Sequence, residues 1–108
     1  MILGAFEELV LLAVGSLDDQ AYGVAIKDLL AEKAGKKPSI GALHSALYRL
    51  EEKGFLESWV GGATSDRGGR RKKYYRLTNL GKSTLEEAHK LRMELSRDIP
   101  GLNLGFYG

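Results

Sequence analysis

The stretch from Ser39 to Gly54, SIGALHSALYRLEEKG, constrains the fold most because it marks both ends of a helix. Ser39 is a favourable N-cap residue, since its hydroxyl can accept a hydrogen bond from a backbone N–H of the first turn. Gly54 lies where a glycine can adopt the left-handed conformation that ends many helices. We therefore predict a single helix between these two residues.

The two faces of this helix differ in chemistry. Four large aliphatic residues recur at helical spacing: Ile40, Leu43, Leu47 and Leu50. The spacing predicts that they pack against a core. The opposite face carries small residues and short polar or aromatic side chains: Gly41, Ala42, His44, Ser45 and Tyr48. Because it holds no acid and no large aliphatic side chain, it suits close approach to base edges or phosphates, with a merely solvated face as the alternative.

The residues before this helix predict two further helices. Residues 3–17 have the apolar spacing of a helix that is buried on more than one side. A second helix is predicted over residues 22–34. Its inward residues are predicted to be Ile26, Leu29, Leu30 and either Val24 or Ala25. Gly35 ends this helix and Pro38 blocks its continuation, so the two helices and their short turn predict a helix-turn-helix.

The residues after Gly54 predict a hairpin. Residues 55–60 suit a strand, residues 61–71 (GGATSDRGGRR) predict a loop with four glycines, and residues 72–78 (KKYYRLT) predict the return strand. A hairpin that directly follows a helix-turn-helix forms a wing beside the recognition helix.

Positive charge is concentrated in this hairpin. The chain as a whole has a net charge of only +2. Residues 66–78, however, hold six basic residues and one acid, whereas residues 1–34 hold six acids and two basic residues. Such a local patch is typical of a surface that binds a polyanion. The residues predicted to contact DNA are Lys36, Lys37, Ser39, Gly41, Ala42, His44, Ser45, Tyr48, Arg67, Arg70, Arg71, Lys72 and Lys73.

A fourth helix is predicted from the Thr78 cap to about Arg97, with an irregular start because Gly81 is unfavourable in a helix. Its length of roughly 28 Å carries its apolar stripe past a small winged domain. The same helix of a second subunit is the simplest partner for this stripe, and packing on the first helix of its own chain is the alternative. The predicted dimer-interface residues are Phe6, Val10, Leu85, Ala88, Leu91 and Leu95.

The predicted fold class is therefore mainly α with a two-stranded β wing: a winged helix-turn-helix followed by a C-terminal dimerisation helix. We predict a DNA-binding domain over residues 1–78 and a dimerisation helix over residues 79–99. Residues 100–108 form a tail to which the sequence assigns no structure.

Five segments together resemble one family: LGAFEELVLLAV (3–14), AYGVAI (21–26), SIGALHSALYRLEEKGFLES (39–58), RGGRRKKYYRLTNLGKSTL (67–85) and the leucine-striped last helix. In this order they resemble the PadR-type transcriptional regulators, which are winged-helix repressors. The resemblance implies a homodimer held by the first and last helices and a palindromic operator. It also implies an effector role, since many members are released from DNA by a small, often aromatic, molecule. The chain departs from the family at His44, where Tyr is usual, and at Tyr48, where a charged residue is frequent.

A small hydrophobic or aromatic effector would bind at the dimer interface, between the first and last helices. The predicted lining residues are Phe6, Val10, Leu91 and Leu95. A close-packed interface without a cavity is the alternative.

Other functional classes have less support in the sequence. His44 and His89 lie far apart with no cluster of catalytic or ligating residues around them, so we predict no enzyme, no metal site and no cofactor. The lack of cysteine fits a cytoplasmic protein, and the apolar N-terminus is too short and too interrupted by Glu7 and Glu8 to span a membrane. The main alternative is a winged-helix module that binds protein or RNA without operator specificity. Salt-dependent binding to random duplex DNA separates the two.

Overall fold

The computed structural model describes residues 3–61 and 71–102. Within these residues the chain forms four α-helices and one two-stranded antiparallel sheet. In chain order the elements are α1 (Ala5–Leu17), α2 (Gly23–Ala34), α3 (Ile40–Glu52), β1 (Leu56–Gly61), β2 (Lys72–Leu77) and α4 (Asn79–Arg97). This is the predicted fold class, a helix-turn-helix followed by a wing and a C-terminal helix.

Both ends of α3 form as the sequence predicts. The Ser39 hydroxyl accepts a hydrogen bond of 3.0 Å from a backbone N–H of the first turn. Gly54 has a φ of 82° and lies just beyond the helix end. The N–H of Phe55 donates to the Leu50 carbonyl (2.9 Å) and that of Gly54 to the Glu51 carbonyl (3.0 Å). This pair of bonds ends a helix through a left-handed residue and directs the chain into β1.

The core lies where α1, α2 and α3 meet. The buried face of α3 consists of Leu43, Ala46, Leu47 and Leu50, all of them completely buried. The facing helices contribute Val10, Leu11, Ala13, Val14, Ile26 and Leu30. Phe55, Leu56 and Tyr75 extend the core under the wing. Since one face of α3 is buried in this core, the opposite face is directed to solvent.

Ile40 does not join the core, which corrects the prediction from its spacing. Its side chain is 54% exposed, and Ala46 occupies the fourth buried position of α3 instead. Ile40 is the first residue of the helix and lies at the rim of the core, beside the N-terminus of α2. Val24 at that N-terminus is 60% exposed, so Ala25, which is half-buried, is the inward residue of that pair.

The structure also corrects the assignment of Val10 to a subunit interface. Its side chain is completely buried within its own chain, because α2 and α3 pack on that face of α1. Phe6 differs, since it packs against the same core but remains partly exposed.

The wing is joined to the segment that precedes α2. β1 and β2 pair antiparallel with Leu56 opposite Leu77 and Gly61 opposite Lys72. Tyr22 forms an isolated bridge with Tyr74, and the N–H of Tyr75 donates to the Ala21 carbonyl at 2.8 Å. The base of the wing is thereby fixed to the N-terminus of α2. The wing tip, with Arg67 and Arg70, lies outside the described residues.

α4 begins at a corner made by Thr78. The Thr78 hydroxyl donates to the Gly54 carbonyl (2.6 Å) and accepts from the Gly81 N–H (3.0 Å). A β-carbon on Gly81 would lie 2.2 Å from the carbonyl oxygen of Phe55. The helix is regular from Asn79, so the predicted irregular start is wrong; the glycine permits close packing instead. Within the described residues, no helix combines the length and apolar character needed to cross a membrane.

Replacing Gly81 with Ala is expected to destabilise the fold by about 3 kcal/mol, because the added methyl group meets backbone rather than a movable side chain. Helix propensity alone would favour alanine by about 1 kcal/mol, so the two effects have opposite signs. Urea unfolding at a fixed protein concentration measures the net result.

Gly41→Ala is the matched control. Gly41 also lies in the first turn of a helix, but a β-carbon there would meet nothing within 4 Å. Its stability should stay the same or rise by up to about 1 kcal/mol. Equal stability of the Gly81 variant and the wild type would contradict the close packing of α4 on Phe55.

Candidate nucleic-acid interface

The predicted contact face of α3 is directed to solvent. Its five residues are all exposed: Gly41, Ala42, His44, Ser45 and Tyr48. They lie opposite the buried leucines, so the helix cannot rotate them inward without breaking the core. Short side chains at the start of the face leave the backbone open to close approach by a ligand.

Glu7 fixes the orientation of α3 relative to α1. Its buried carboxylate accepts a hydrogen bond from Arg49 Nε at 3.2 Å. Lys53 Nζ donates to both carboxylate oxygens of Glu7, at 3.3 and 3.2 Å. The second half of α3 is thus held at one point on its side opposite the wing. The sequence signal for this contact was an acid that interrupts an otherwise apolar helix.

The pKa of Glu7 lies below its ordinary value of 4.5. Burial by itself raises this pKa, since it disfavours the charged form. The hydrogen bonds from Arg49, Lys53 and the Gly4 N–H, together with the positive charge of Lys53, act in the opposite direction and jointly outweigh burial. The group therefore stays ionised in the folded protein, and its charge is neutralised locally.

Glu51 joins the last turn of α3 to the wing. Its carboxylate accepts a hydrogen bond of 2.6 Å from the Ser58 hydroxyl and lies 3.7 Å from Lys73 Nζ. Burial, with the nearby Glu51 charge, raises the pKa of Tyr75. Of the two acids of α3, Glu51 faces the wing, whereas Glu52 is exposed in the last turn, one turn beyond Tyr48 and at the end of the contact face.

Aromatic side chains stiffen the base of the wing. The Tyr74 ring stacks on Trp59 with centroids 5.7 Å apart and meets the edge of Tyr22 at 5.6 Å. Lys72 Nζ lies 4.2 Å from the centre of the Tyr22 ring, which places this cation at the junction of α2 and β2. The sequence alone did not reveal this aromatic row.

A groove of about 220 Å³ runs between α2, α3 and β2. Its walls are mainly apolar, with cationic groups on the β2 side. The lining residues are Tyr22, Gly23, Val24, Ile40, His44, Lys72, Lys73 and Tyr75. The groove brings together three predicted contact residues from two elements: His44 of α3, and Lys72 and Lys73 of β2. We name this the α2–α3–wing groove.

The remaining predicted contact residues lie around this surface. Lys36 and Lys37 are exposed in the turn between α2 and α3, and Arg71 is exposed just before β2. Ser39 is exposed, but its hydroxyl is engaged as the helix cap. Within residues 3–61 and 71–102, no three His, Cys, Asp or Glu side chains cluster as a metal site would require.

A second groove of about 320 Å³ lies between the start of α1 and the outer half of α4. Its lining residues are Leu3, Glu8, Thr84, Glu87, Ala88, Leu91, Arg92 and Leu95. Arg92 Nη2 lies 2.8 Å from Glu8 Oε1 and ties α4 to α1. Leu85 packs against the core, whereas Leu91 and Leu95 are 51% and 61% exposed. We name this the α1–α4 groove.

Comparison with known proteins assigns the chain to a family. Residues 11–87 match the family described as "Transcriptional regulator PadR-like family". The chain belongs to the PadR-like family of transcriptional regulators. The matched range spans the helix-turn-helix, the wing and the first half of α4.

Solved structures agree with this assignment. A PadR family transcription regulator from Clostridium difficile R20291 is 27% identical, with a TM-score of 0.72, and the match covers 86% of this chain and 93% of that one. A PadR family transcriptional regulator from Eggerthella lenta is 30% identical, with a TM-score of 0.68, covering 85% of this chain and 75% of that one. The chain is also 32% identical over 101 residues to an uncharacterized protein of Lysinibacillus sphaericus, covering 92% and 88% of the two sequences. This PadR-like chain is thus a DNA-binding transcriptional regulator with a winged-helix fold, in a family of regulators rather than enzymes.

Replacing Glu7 with Gln is expected to lower the free energy of unfolding by about 1–2 kcal/mol near pH 7, because two cations lose their charged partner. Glu7 has a lowered pKa in the folded protein, so its carboxylate stabilises the fold above the ordinary value of 4.5. This contribution is lost as the pH falls through the lower pKa of the folded state. The difference between wild type and variant should therefore shrink below about pH 4.5, as measured by urea unfolding.

Glu57→Gln serves as the control for this measurement. Glu57 pairs with Arg76 across the wing, and both side chains are at least half exposed. Loss of such a surface pair changes stability by less than about 1 kcal/mol. A Glu7 effect that is no larger than the Glu57 effect, or that does not vary with pH, would refute the anchoring role of Glu7.

Proposed function

We propose that the chain acts as a homodimeric repressor that binds a palindromic operator through α3 and the wing. One observation carries the proposal: the acid-free face of α3 is exposed and lies beside cations of β2 in the α2–α3–wing groove. Such a surface matches the charge of DNA and admits a base edge next to a phosphate.

The local charges support this interpretation. Glu7 pairs with Arg49 of α3 and with Lys53 at the end of that helix, and Glu51 contacts Ser58 and Lys73. Arg71 and Lys72 have no acid within salt-bridge distance among the described residues and stay exposed. Exposed positive charge therefore lies on the wing side of the contact face, which favours association with a polyanion.

The contacts divide by chemistry into two groups. His44 and Ser45 lie in the middle of the face and carry groups that can hydrogen-bond to base edges, so they supply sequence preference. Phosphate contacts are assigned to the basic residues around the face: Lys36, Lys37, Arg71, Lys72 and Lys73. These position the protein without reading sequence.

The exposed stripe of α4 supports a dimer. Leu91 and Leu95 remain open to solvent after α4 has packed on α1, and exposed leucines at helical spacing are suited to a second copy of the helix. A twofold dimer presents two recognition helices to half-sites about 34 Å apart, which requires an inverted repeat. Bound across a promoter, such a dimer represses by excluding polymerase.

The α1–α4 groove supports release by an effector. Leu91 and Leu95 are among its lining residues, and its volume suits a small planar molecule. Phe6 and Val10, the other two predicted lining residues, are not part of it, and Leu3 and Ala88 line it instead. A ligand that fits only one spacing of the two subunits would move the recognition helices off their half-sites.

Replacing Arg71 and Lys72 together with Ala is expected to weaken binding to operator and random duplex by the same factor. If each contacts one phosphate, the slope of log affinity against log salt should fall by roughly 2, because each phosphate contact contributes about 0.9. Fluorescence anisotropy of a labelled duplex at several salt concentrations measures both quantities.

Two controls accompany this test. Lys90 and Arg97 are exposed in the second half of α4, away from α3 and the wing, so their joint replacement should leave the slope unchanged. His44→Ala should alter which operator is preferred while random-duplex affinity stays within about twofold. An absence of salt-dependent binding to random duplex DNA would favour the protein-binding or RNA-binding module instead.

Replacing Leu91 and Leu95 together with Glu is expected to produce folded monomers, since four charges would face one another across the interface. Light scattering at tens of micromolar protein reports the mass, and circular dichroism reports the fold. Val60→Glu, on the equally exposed surface of β1, should leave the mass unchanged. A wild type that is monomeric at these concentrations would exclude the dimer.

A planar aromatic ligand is expected to raise the melting temperature of the wild type and to weaken operator binding. Ala88→Trp should abolish the shift, because a large side chain would fill the α1–α4 groove. An absence of any shift across a broad panel of aromatic compounds would reject the effector, and the protein would then be controlled by its abundance.

A further inference from the structure

Two large aliphatic side chains lie exposed in the groove beside the proposed DNA-contact face. Ile40 begins α3 and is 54% exposed, and Val24 at the start of α2 is 60% exposed. Both line the α2–α3–wing groove. Exposed aliphatic side chains contribute little to folding, so their place in this groove suggests a ligand with an apolar group.

Polar groups surround this apolar pair. His44 Nε2 lies 4.0 Å from the point that a β-carbon on Gly23 would occupy, which brings the imidazole close to the start of α2. Lys72 Nζ lies over the Tyr22 ring at 4.2 Å on the β2 side. The groove therefore presents exposed apolar side chains next to cationic and hydrogen-bonding groups.

We propose that Ile40 and Val24 contact the C5 methyl group of a thymine, so that each operator half-site specifies T at one position. The inference rests on the proposed function and adds one specified base to the operator sequence that the protein would recognise. Thymine methyl groups are the apolar feature that the major groove of DNA presents. Residues at the N-terminus of a recognition helix are the ones that reach base edges, and Ile40 is the first residue of α3.

The cations beside the pair determine which ligand fits. A protein partner that covered Ile40 and Val24 would also bury Lys72, whereas duplex DNA brings a phosphate within reach of it. The pair and the cation thus fit a thymine and a neighbouring phosphate of one strand.

Deoxyuridine substitution tests the contact directly, because it removes the methyl group and leaves every hydrogen-bonding group of thymine in place. The operator is first obtained by selection from random duplex DNA. Each T of one half-site is then replaced singly by deoxyuridine, and affinity is measured for the full-length protein. Wild type should lose roughly fourfold at one position, as expected for one buried methyl group.

Ile40→Ala should remove most of this loss at that position, and Val24→Ala should reduce it. Leu80→Ala is the matched control, since Leu80 is 53% exposed at the start of α4, and its deoxyuridine profile should equal that of wild type. Ile40 and Val24 are exposed, so circular dichroism should show both variants folded.

Three results would overturn the inference. A wild type with no deoxyuridine penalty at any T would mean that Ile40 and Val24 contact sugar or nothing. A penalty that persists unchanged in Ile40→Ala would place the methyl contact elsewhere. Failure to select any operator, with binding that is uniform across sequences, would instead refute the proposed function and the inference with it.

Discussion

The burial of one face of α3 is the constraint on which the recognition surface depends. Leu43, Leu47 and Leu50 have no exposed surface, so the rotation of the helix about its axis is fixed by the core. Glu7 adds a polar contact that the apolar packing does not supply: one buried carboxylate holds Arg49 of α3 and Lys53 at its C-terminal end, and thereby limits sliding of the helix along α1. The core and this contact therefore fix where the exposed face of α3 lies, which suits a surface proposed to match DNA.

Two adjacent acids in the first turn of α1 contact two different parts of the fold, α3 and α4. Glu7 holds α3, whereas Glu8 pairs with Arg92 of α4 on the wall of the α1–α4 groove. The first turn of α1 thus contacts both α3, the proposed DNA-reading helix, and α4, the proposed dimer helix. Any displacement of α4 that moves Glu8 acts on the turn that positions α3, so the two proposed sites share one structural link.

Features that local sequence signals define could be predicted, whereas features that depend on residues distant in the chain could not. The ends of α3, the wing and the span of α4 were predictable because local signals define them: the Ser39 cap, the Gly54 turn and the glycine-rich loop. The exposure of Ile40 was not predictable. Its spacing matches the apolar stripe, and only the neighbouring elements show that the core ends before it. The role of Gly81 depends on the carbonyl oxygen of Phe55, far away in sequence, and the partners of Glu7 lie on another helix.

Amide chemical-shift mapping by NMR tests the central claim most directly, because it reports which residues of the intact protein meet DNA. A duplex that contains the selected operator is titrated into the labelled full-length chain. The account predicts that amides of Gly41, Ser45 and Lys72 shift most and that the shifts diminish as salt is raised. Shifts confined to α4, or an undisturbed α3 at saturating DNA, would contradict it.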